Sequence, residues 1–149
     1  MATEYDLYLA GNTPVELVAE WAFPDLADRP TGTLPYLAAD HYDKYGYSVV
    51  VTAGQNAYID VAADGAAWEW EPQAFVLVGF SLGNDADRPW AIDNMLAAVR
   101  RILAADDQDA ALVLNGDVLI LARMGGVLVK HRRETWWTSS PAANQLIPG

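Results

Sequence analysis

The sequence contains no cysteine, which excludes disulfides, thiolate metal sites and a cysteine nucleophile. It also lacks any apolar run near the roughly 20 residues that a membrane-spanning helix requires. Its first residues are acidic where a secretory signal would be basic. These absences predict a cytoplasmic protein without a membrane segment, and 149 residues suffice for one domain with its own core.

Basic residues are scarce and unevenly distributed. The formal net charge is −11, and residues 1–87 hold 14 Asp and Glu but only Arg29 and Lys44. A nucleic-acid binder needs a basic surface, so the acidic first half argues against DNA or RNA as a partner. The charge suits a basic protein partner, because complementary fields accelerate encounter, although acidic residues also simply promote solubility.

The clearest local structure lies in residues 88–130. Apolar residues at helical spacing predict an amphipathic helix over Pro89–Leu103. Asn115-Gly116 between two apolar runs predicts a tight hairpin, because both central residues of a type I′ turn need positive φ. Gly125-Gly126 predicts another turn, so the helix leads into a three-stranded meander.

Five more strands are predicted before that helix, three of them from polar–apolar alternation and Tyr47–Thr52 from its β-branched residues. These are Glu4–Ala10, Tyr47–Thr52, Ala57–Ala62, Trp68–Glu71 and Phe75–Leu82. A capping box at Thr13–Glu16 predicts a helix that ends before Pro24. Residues 24–46 are expected to form an irregular loop over the sheet, with a short strand near Leu34–Leu37. The turn at Ala53–Asn56 is expected to join its flanking strands as a hairpin.

The fold class that follows is α+β, with a single, mostly antiparallel twisted sheet and two helices on one face. The domain is predicted to cover residues 1–138, and residues 139–149 are predicted to form a C-terminal tail. Leu112–Leu114 and Val118–Leu121 are apolar on both strand faces. These strands should therefore be central and covered on both sides, the second cover being the 24–46 loop, the tail or another molecule.

One catalytic motif has to be weighed. Residues 79–83 match G-x-S-x-G, with Ser81 as the nucleophile and His131 as the one histidine that follows it. The predicted helix starts several residues too late for that motif, and no glycine-rich oxyanion loop is present. His41 beside Asp40 lacks the further ligands that a metal would need. We therefore predict no enzyme and no catalytic, metal or cofactor residues.

Aromatic residues are abundant, with six Trp and seven Tyr, and many lie among carboxylates. Tyr and Trp concentrate at protein interfaces, although core packing is the alternative use of such large side chains. The predicted protein-interface residues are Tyr42, Asp43, Tyr45, Asp60, Asp64, Trp68, Glu69 and Trp70.

Several short motifs, in order along the chain, are similar to those of one family. They are Glu4–Leu9, Asp93–Val99, the apolar strands around Asn115-Gly116, Arg123–Val129 and Trp137-Thr138. This series resembles the immunity proteins of Sit-type swarming-inhibition toxin systems. The resemblance implies a cytoplasmic, non-enzymatic protein that binds a cognate antibacterial toxin and occludes a basic active site or groove. A homodimeric structural or regulatory module is the alternative, followed by a small serine hydrolase.

Overall fold

A computed structural model describes residues 3–83, 87–139 and 141–149. Within these ranges nine strands form one sheet: β1 (Thr3–Ala10), β2 (Tyr36–His41), β3 (Tyr47–Gln55), β4 (Ile59–Ala63), β5 (Ala66–Trp70), β6 (Ala74–Leu82), β7 (Ala110–Leu114), β8 (Val118–Met124) and β9 (Val127–Lys130). The α-helices are α1 (Val15–Ala22), α2 (Tyr42–Tyr45), α3 (Arg88–Ala105) and α4 (Pro141–Leu146). A 3₁₀ turn spans Leu26–Asp28 and a π-helical turn spans Arg133–Trp137.

The strands lie in the order β2-β3-β6-β1-β7-β8-β4-β5. β4 pairs with the first residue of β8, and β9 pairs with the last four residues of β8. The pairs are antiparallel except where β4 meets β8 at Ala62 and Val118. The α+β class and the mostly antiparallel sheet are therefore confirmed. Strand β1 lies between β6 and β7. Because its residues alternate, Tyr5, Leu7 and Leu9 share one face, and all three are buried there.

The first face of the sheet carries the main core. Helices α1 and α3, the two that the sequence predicts, pack there through residues such as Val18, Met95 and Ile102. The C-terminal segment joins the same core, because Ala143 of α4 and Ile147 are almost fully buried. Burial of these side chains in one contiguous cluster fixes the helices on this face.

Among the residues that the structure describes, the β4–β5 hairpin covers the second face of the sheet, and it covers only part of it. Ile59 and Val61 pack there against Ala111, Val113 and Leu119 in a separate apolar cluster. The prediction that β7 and β8 are central and covered on both faces is confirmed. The cover is this hairpin and not one of the three covers that the sequence suggested.

The tight turn predicted at Asn115-Gly116 is confirmed. Asn115 and Gly116 have φ values of 51° and 73°, as a type I′ turn requires. The predicted hairpin between Tyr47–Thr52 and Ala57–Ala62 is wrong, because β3 pairs with β2 and β6 while β4 pairs with β5. Strand pairing between residues far apart in sequence overrides the local turn signal there.

Two further expectations are corrected. The capping box at Thr13 does not form: the N-cap residue of α1 is Pro14, and the Thr13 hydroxyl accepts a hydrogen bond from Gln108 Nε2. Residues 24–46 do not lie over the sheet as a loop, since β2 within them extends the sheet as its terminal strand. Thr31 pairs with Ala38 on the outer side of β2 and so blocks part of that edge.

Candidate protein-interaction surfaces

The predicted interface residues fall into two groups that the structure does not bring together. Tyr42, Asp43 and Tyr45 form α2, which follows β2 at one end of the strand order. The other five lie on or beside the β4–β5 hairpin at the opposite end: Asp60, Asp64, Trp68, Glu69 and Trp70.

The outer side of the β4–β5 hairpin is acidic. Asp60 and Glu69 lie directly opposite each other on the paired strands, and both are exposed. The Tyr58 hydroxyl donates a hydrogen bond of 2.7 Å to Glu69 Oε1. This bond to a carboxylate, with smaller contributions from desolvation and nearby acidic groups, raises the pKa of Tyr58 to about 12. The side chain of Tyr58 is therefore a neutral donor that holds Glu69 in place.

The inner side of the same hairpin carries both tryptophans. Trp68 pairs with Val61 and Trp70 pairs with Ile59, and the two indole rings lie 6.0 Å apart. Both side chains are half-buried against the second apolar cluster. The sequence correctly places them on one strand face, and that face is the one directed at the sheet. The two tryptophans therefore pack the hairpin against the sheet, while its acidic side faces outward.

Asp64, in the turn of the hairpin, is tied to the chain that follows β9. Its Oδ1 accepts a bond of 2.8 Å from the backbone N–H of Arg132, and its Oδ2 accepts one of 3.1 Å from His131 Nδ1. The hydrogen bond from the Arg132 backbone is the main cause that holds the pKa of Asp64 below its ordinary value. The Asp64 carboxylate therefore anchors the hairpin tip to the chain after β9.

The serine–histidine pair of the hydrolase alternative is not assembled. Ser81 lies in β6 and His131 follows β9, with β1, β7 and β8 between them in the sheet. Four inter-strand steps of about 4.8 Å separate the two residues by roughly 19 Å. His131 is engaged with Asp64, so a hydrogen bond to Ser81 is out of reach in this structure.

Tyr45 belongs to a network around the buried Asp28. Its hydroxyl donates to Asp28 Oδ2 at 2.6 Å, and Lys44 Nζ donates to Oδ1 at 2.5 Å. The bonds from Lys44 and then Tyr45 lower the pKa of Asp28. His41 Nε2 donates to the Asp28 carbonyl at 2.6 Å, and its ring packs against Phe23. His41 is therefore half-buried at the end of β2, although the sequence places it in the irregular loop expected over residues 24–46.

Tyr42 and Asp43 are exposed, and Tyr42 points toward a surface that the sequence analysis missed. Ser48 Oγ donates a long hydrogen bond of 3.4 Å to the Tyr42 hydroxyl. Ser48 faces the second side of the sheet on β3, away from the main core. Tyr42 therefore borders the part of the second face that the β4–β5 hairpin leaves uncovered.

We call this uncovered part, the second face of β2, β3, β6 and β1, the open half. One row across it contains Asp40, Ser48, Ser81 and Glu4; the next contains Ala38, Val50, Gly79 and Asp6; the third contains Tyr36, Thr52, Leu77 and Tyr8. Val50 and Leu77 belong to neither apolar cluster, although they lie in the middle of the sheet. A shallow groove of about 180 Å³ runs over them, with Asp6 and Glu4 along one side.

Asp6 is the most perturbed carboxyl group of this surface. Partial burial, reinforced by the neighbouring Glu4, raises its pKa to about 6. A Cβ atom at Gly79, its partner on β6, would lie 3.1 Å from Asp6 Oδ1, so glycine leaves room for the carboxyl group. The alternation of Glu4, Asp6 and Tyr8 was visible in the sequence, but the residues beside them come from distant strands.

Other kinds of site find no support in the part of the chain that the structure describes. Residues 3–83, 87–139 and 141–149 contain no group of three or more His, Asp and Glu side chains placed to hold a metal ion. No helix in these ranges is long and apolar enough to cross a membrane.

The fold and its surfaces define an acidic α+β domain whose sheet is covered by helices on one face and half-covered by a hairpin on the other. The chain belongs to the SitI3-like family, whose family model matches residues 3–141. This match confirms the resemblance to Sit-type immunity proteins, and the family suggests an immunity protein of a toxin system. Neither the curated proteins nor the solved structures provided a match.

Proposed function

We propose that this protein is a cytoplasmic immunity protein that binds and neutralises a cognate antibacterial toxin. The observation that carries the proposal is membership of the SitI3-like family over residues 3–141, nearly the whole chain. The proposed role is non-enzymatic and needs no cofactor. The separation of Ser81 from His131 supports it against the hydrolase alternative.

Neutralisation is proposed to work by occlusion, with an acidic surface covering a basic active site or groove of the toxin. The net charge of −11 would accelerate encounter with such a partner. Asp60 and Glu69 lie directly opposite on the hairpin, where two like charges destabilise a strand pair. A cationic side chain of the toxin placed between them would relieve that repulsion. This hairpin surface is the proposed contact among the residues that the sequence singled out.

The first test is capture of a toxin by the tagged protein from a lysate of the native source, at low and at moderate salt. The second is protection of cells that express the captured toxin. The bait is compared with an Asp60→Lys/Glu69→Lys variant and with a matched Glu16→Lys/Glu20→Lys variant. The control residues are exposed on α1, which packs on the opposite face of the sheet.

We expect the wild-type protein to retain one basic polypeptide at low salt and to protect cells. The hairpin variant should weaken capture at least tenfold, about 1.4 kcal/mol, while the α1 variant retains it. Equal capture by both variants would move the interface away from the hairpin and leave the binding role. Failure of the wild-type protein to capture or protect would contradict the proposal. Recovery of the protein alone, as a stable dimer, would favour the homodimeric module.

A further inference from the structure

We infer that the open half of the sheet is a docking surface for a basic protein segment that presents an arginine or lysine side chain to Asp6. The inference rests on the proposed function in so far as this segment belongs to the toxin. It adds a second place of contact, beside the hairpin, and the chemical group that is recognised there. Neither follows from family membership.

The shape of the open half suits an extended segment. Its middle is lined by small or apolar residues, with Val50 and Gly79 side by side and Leu77 in the next row. Hydroxyl groups of Ser48 and Ser81 border this strip on one side. Val50 and Leu77 belong to neither core cluster, and only Tyr8, at the margin of the open half, packs against the second cluster. A segment laid along the groove would bury the apolar strip and keep polar contacts at its sides.

The charge of the open half selects a cationic occupant. Three rows of four outward positions contain Asp40, Glu4 and Asp6 and not one lysine or arginine. A second copy of the chain docked through the same surface would bring these carboxylates against each other. Like-charge contact of this kind opposes association, so a second copy of the chain is a less suitable occupant than a basic partner. A basic partner places opposite charge along the whole groove.

Asp6 is the group best placed to bind that charge. Among the described residues its carboxyl group makes no hydrogen bond or ion pair, although it is partly buried within the sheet. Desolvation and the Glu4 carboxylate both disfavour its ionised form, and a bound cation would counteract both effects. The room that Gly79 leaves beside Asp6 Oδ1 keeps the carboxyl group accessible from the groove.

Aromatic rings near the groove favour a guanidinium group in particular. Tyr42 lies beside Ser48 at one end, and Tyr36 is 53% exposed on the terminal strand. Tyr8, in the same row as Tyr36, already packs against Phe75 and the second apolar cluster, so the exposed rings are those of Tyr36 and Tyr42. A guanidinium group stacks on such rings and pairs with a carboxylate through two parallel hydrogen bonds. Arginine therefore fits this surface better than lysine does.

The open half also lies between the two groups of residues that the sequence singled out. In the strand order, α2 adjoins β2 and β3, the hairpin consists of β4 and β5, and β6 and β1 stand between them. A toxin seated on the open half would therefore lie between Tyr42 and the hairpin.

The deciding experiment uses Asp6→Asn, which removes the charge and keeps the shape, and Ser81→Arg, which places a cation in the groove opposite Glu4. Asp107→Asn is the matched control, because Asp107 is exposed and outside the open half. Affinity for the inactivated toxin domain is measured for all four proteins. An acetylated, amidated Gly-Arg-Gly peptide is titrated in parallel while backbone amide signals are followed by NMR.

We expect both open-half variants to bind the toxin at least tenfold more weakly than wild type, and Asp107→Asn to bind like wild type. The peptide should shift the Gly79 and Ser81 amides in wild type and not in Asp6→Asn.

Unchanged toxin binding by both open-half variants would overturn the inference and leave the proposed function intact. If wild type binds no toxin, the proposed function fails. In that case the peptide titration tests the inference alone. Amide shifts at Gly79 and Ser81 that depend on Asp6 would support a cation-binding surface, and shifts that are absent or spread over the whole protein would overturn it.

Discussion

The second face of the sheet has two halves that differ in what covers them. Over β7 and β8 the β4–β5 hairpin buries Val113 and Leu119 almost completely. Over β3, β6 and β1 the described chain leaves Val50 and Leu77 only partly buried and keeps three carboxylates nearby. The covered half is built like a core, and the open half is built like a binding surface.

This contrast separates residues that stabilise the fold from those available for a partner. A side chain in the covered half loses packing when it is truncated, because its neighbours are fixed around it. A carboxyl group in the open half is held in a poorly solvated place without a cation, which lowers stability. Proteins commonly accept such a loss at binding sites, where function and stability make opposing demands.

The largest expected difference comes from one substitution made in both halves. Leu119→Ala should lower the free energy of unfolding by about 3 kcal/mol, because it removes a fully buried side chain from the second cluster. Leu77→Ala should lower it by about 1 kcal/mol or less, since that side chain is only partly buried. Urea unfolding of both variants measures the difference. Equal losses would mean that the open half is covered in solution.

The next effect has the opposite sign. At pH 7 Asp6→Asn should raise the free energy of unfolding by about 1–2 kcal/mol. A pKa raised from 3.8 to about 6 corresponds to about 3 kcal/mol, which solvent screening of this partly exposed group reduces. Because the folded-state pKa of Asp6 lies above its unfolded one, the ionisation of this group costs stability as the pH rises from about 4 to 6.

The advantage of Asp6→Asn should therefore vanish below about pH 4, where the wild-type carboxyl group is protonated in both states. Denaturant midpoints of the two proteins at pH 3.5, 5 and 7 test this. A variant that is less stable than wild type at pH 7 would show Asp6 to be a structural residue, contrary to the inference.

The smallest effect concerns the outer side of the hairpin. Asp60→Asn removes one of two like charges that face each other, so the melting temperature should rise by about 1 °C. The rise should shrink in high salt, which screens exposed charges. Thermal unfolding at 20 mM and 500 mM salt is the measurement, and a salt-independent change would show that repulsion from Glu69 is not its cause.

Elements set by nearby residues were predictable from the sequence. The Asn115-Gly116 turn, helix α3 and the alternation of β1 each depend on residues within one element or one turn, and all three are observed. The hairpin expected across Ala53–Asn56 failed because the sequence does not show that β6 competes for β3. Long-range pairing of this kind is decided by burial over the whole sheet.

The candidate surfaces were harder to foresee for the same reason. The shared face of Trp68 and Trp70 follows from a two-residue period, but whether that face meets solvent or sheet does not. The open half combines Asp6 with Gly79 and Val50, which belong to three strands. The one local signal of the open half was the polar side of β1. An ordinary solvent-exposed strand face gives the same pattern, so the signal does not distinguish a binding surface from it.

The central place of β1 has a consequence for synthesis. This strand precedes both of its partners in the chain, since β6 begins at Ala74 and β7 at Ala110. While the ribosome adds residues, Leu7 and Leu9 have no neighbour to pair with until β6 has been made, and they lack the second neighbour until β7 follows. We therefore expect nascent chains that stop before β7 to be protease-sensitive. A cell would therefore accumulate protease-resistant protein only as chains are extended past Leu114, the end of β7.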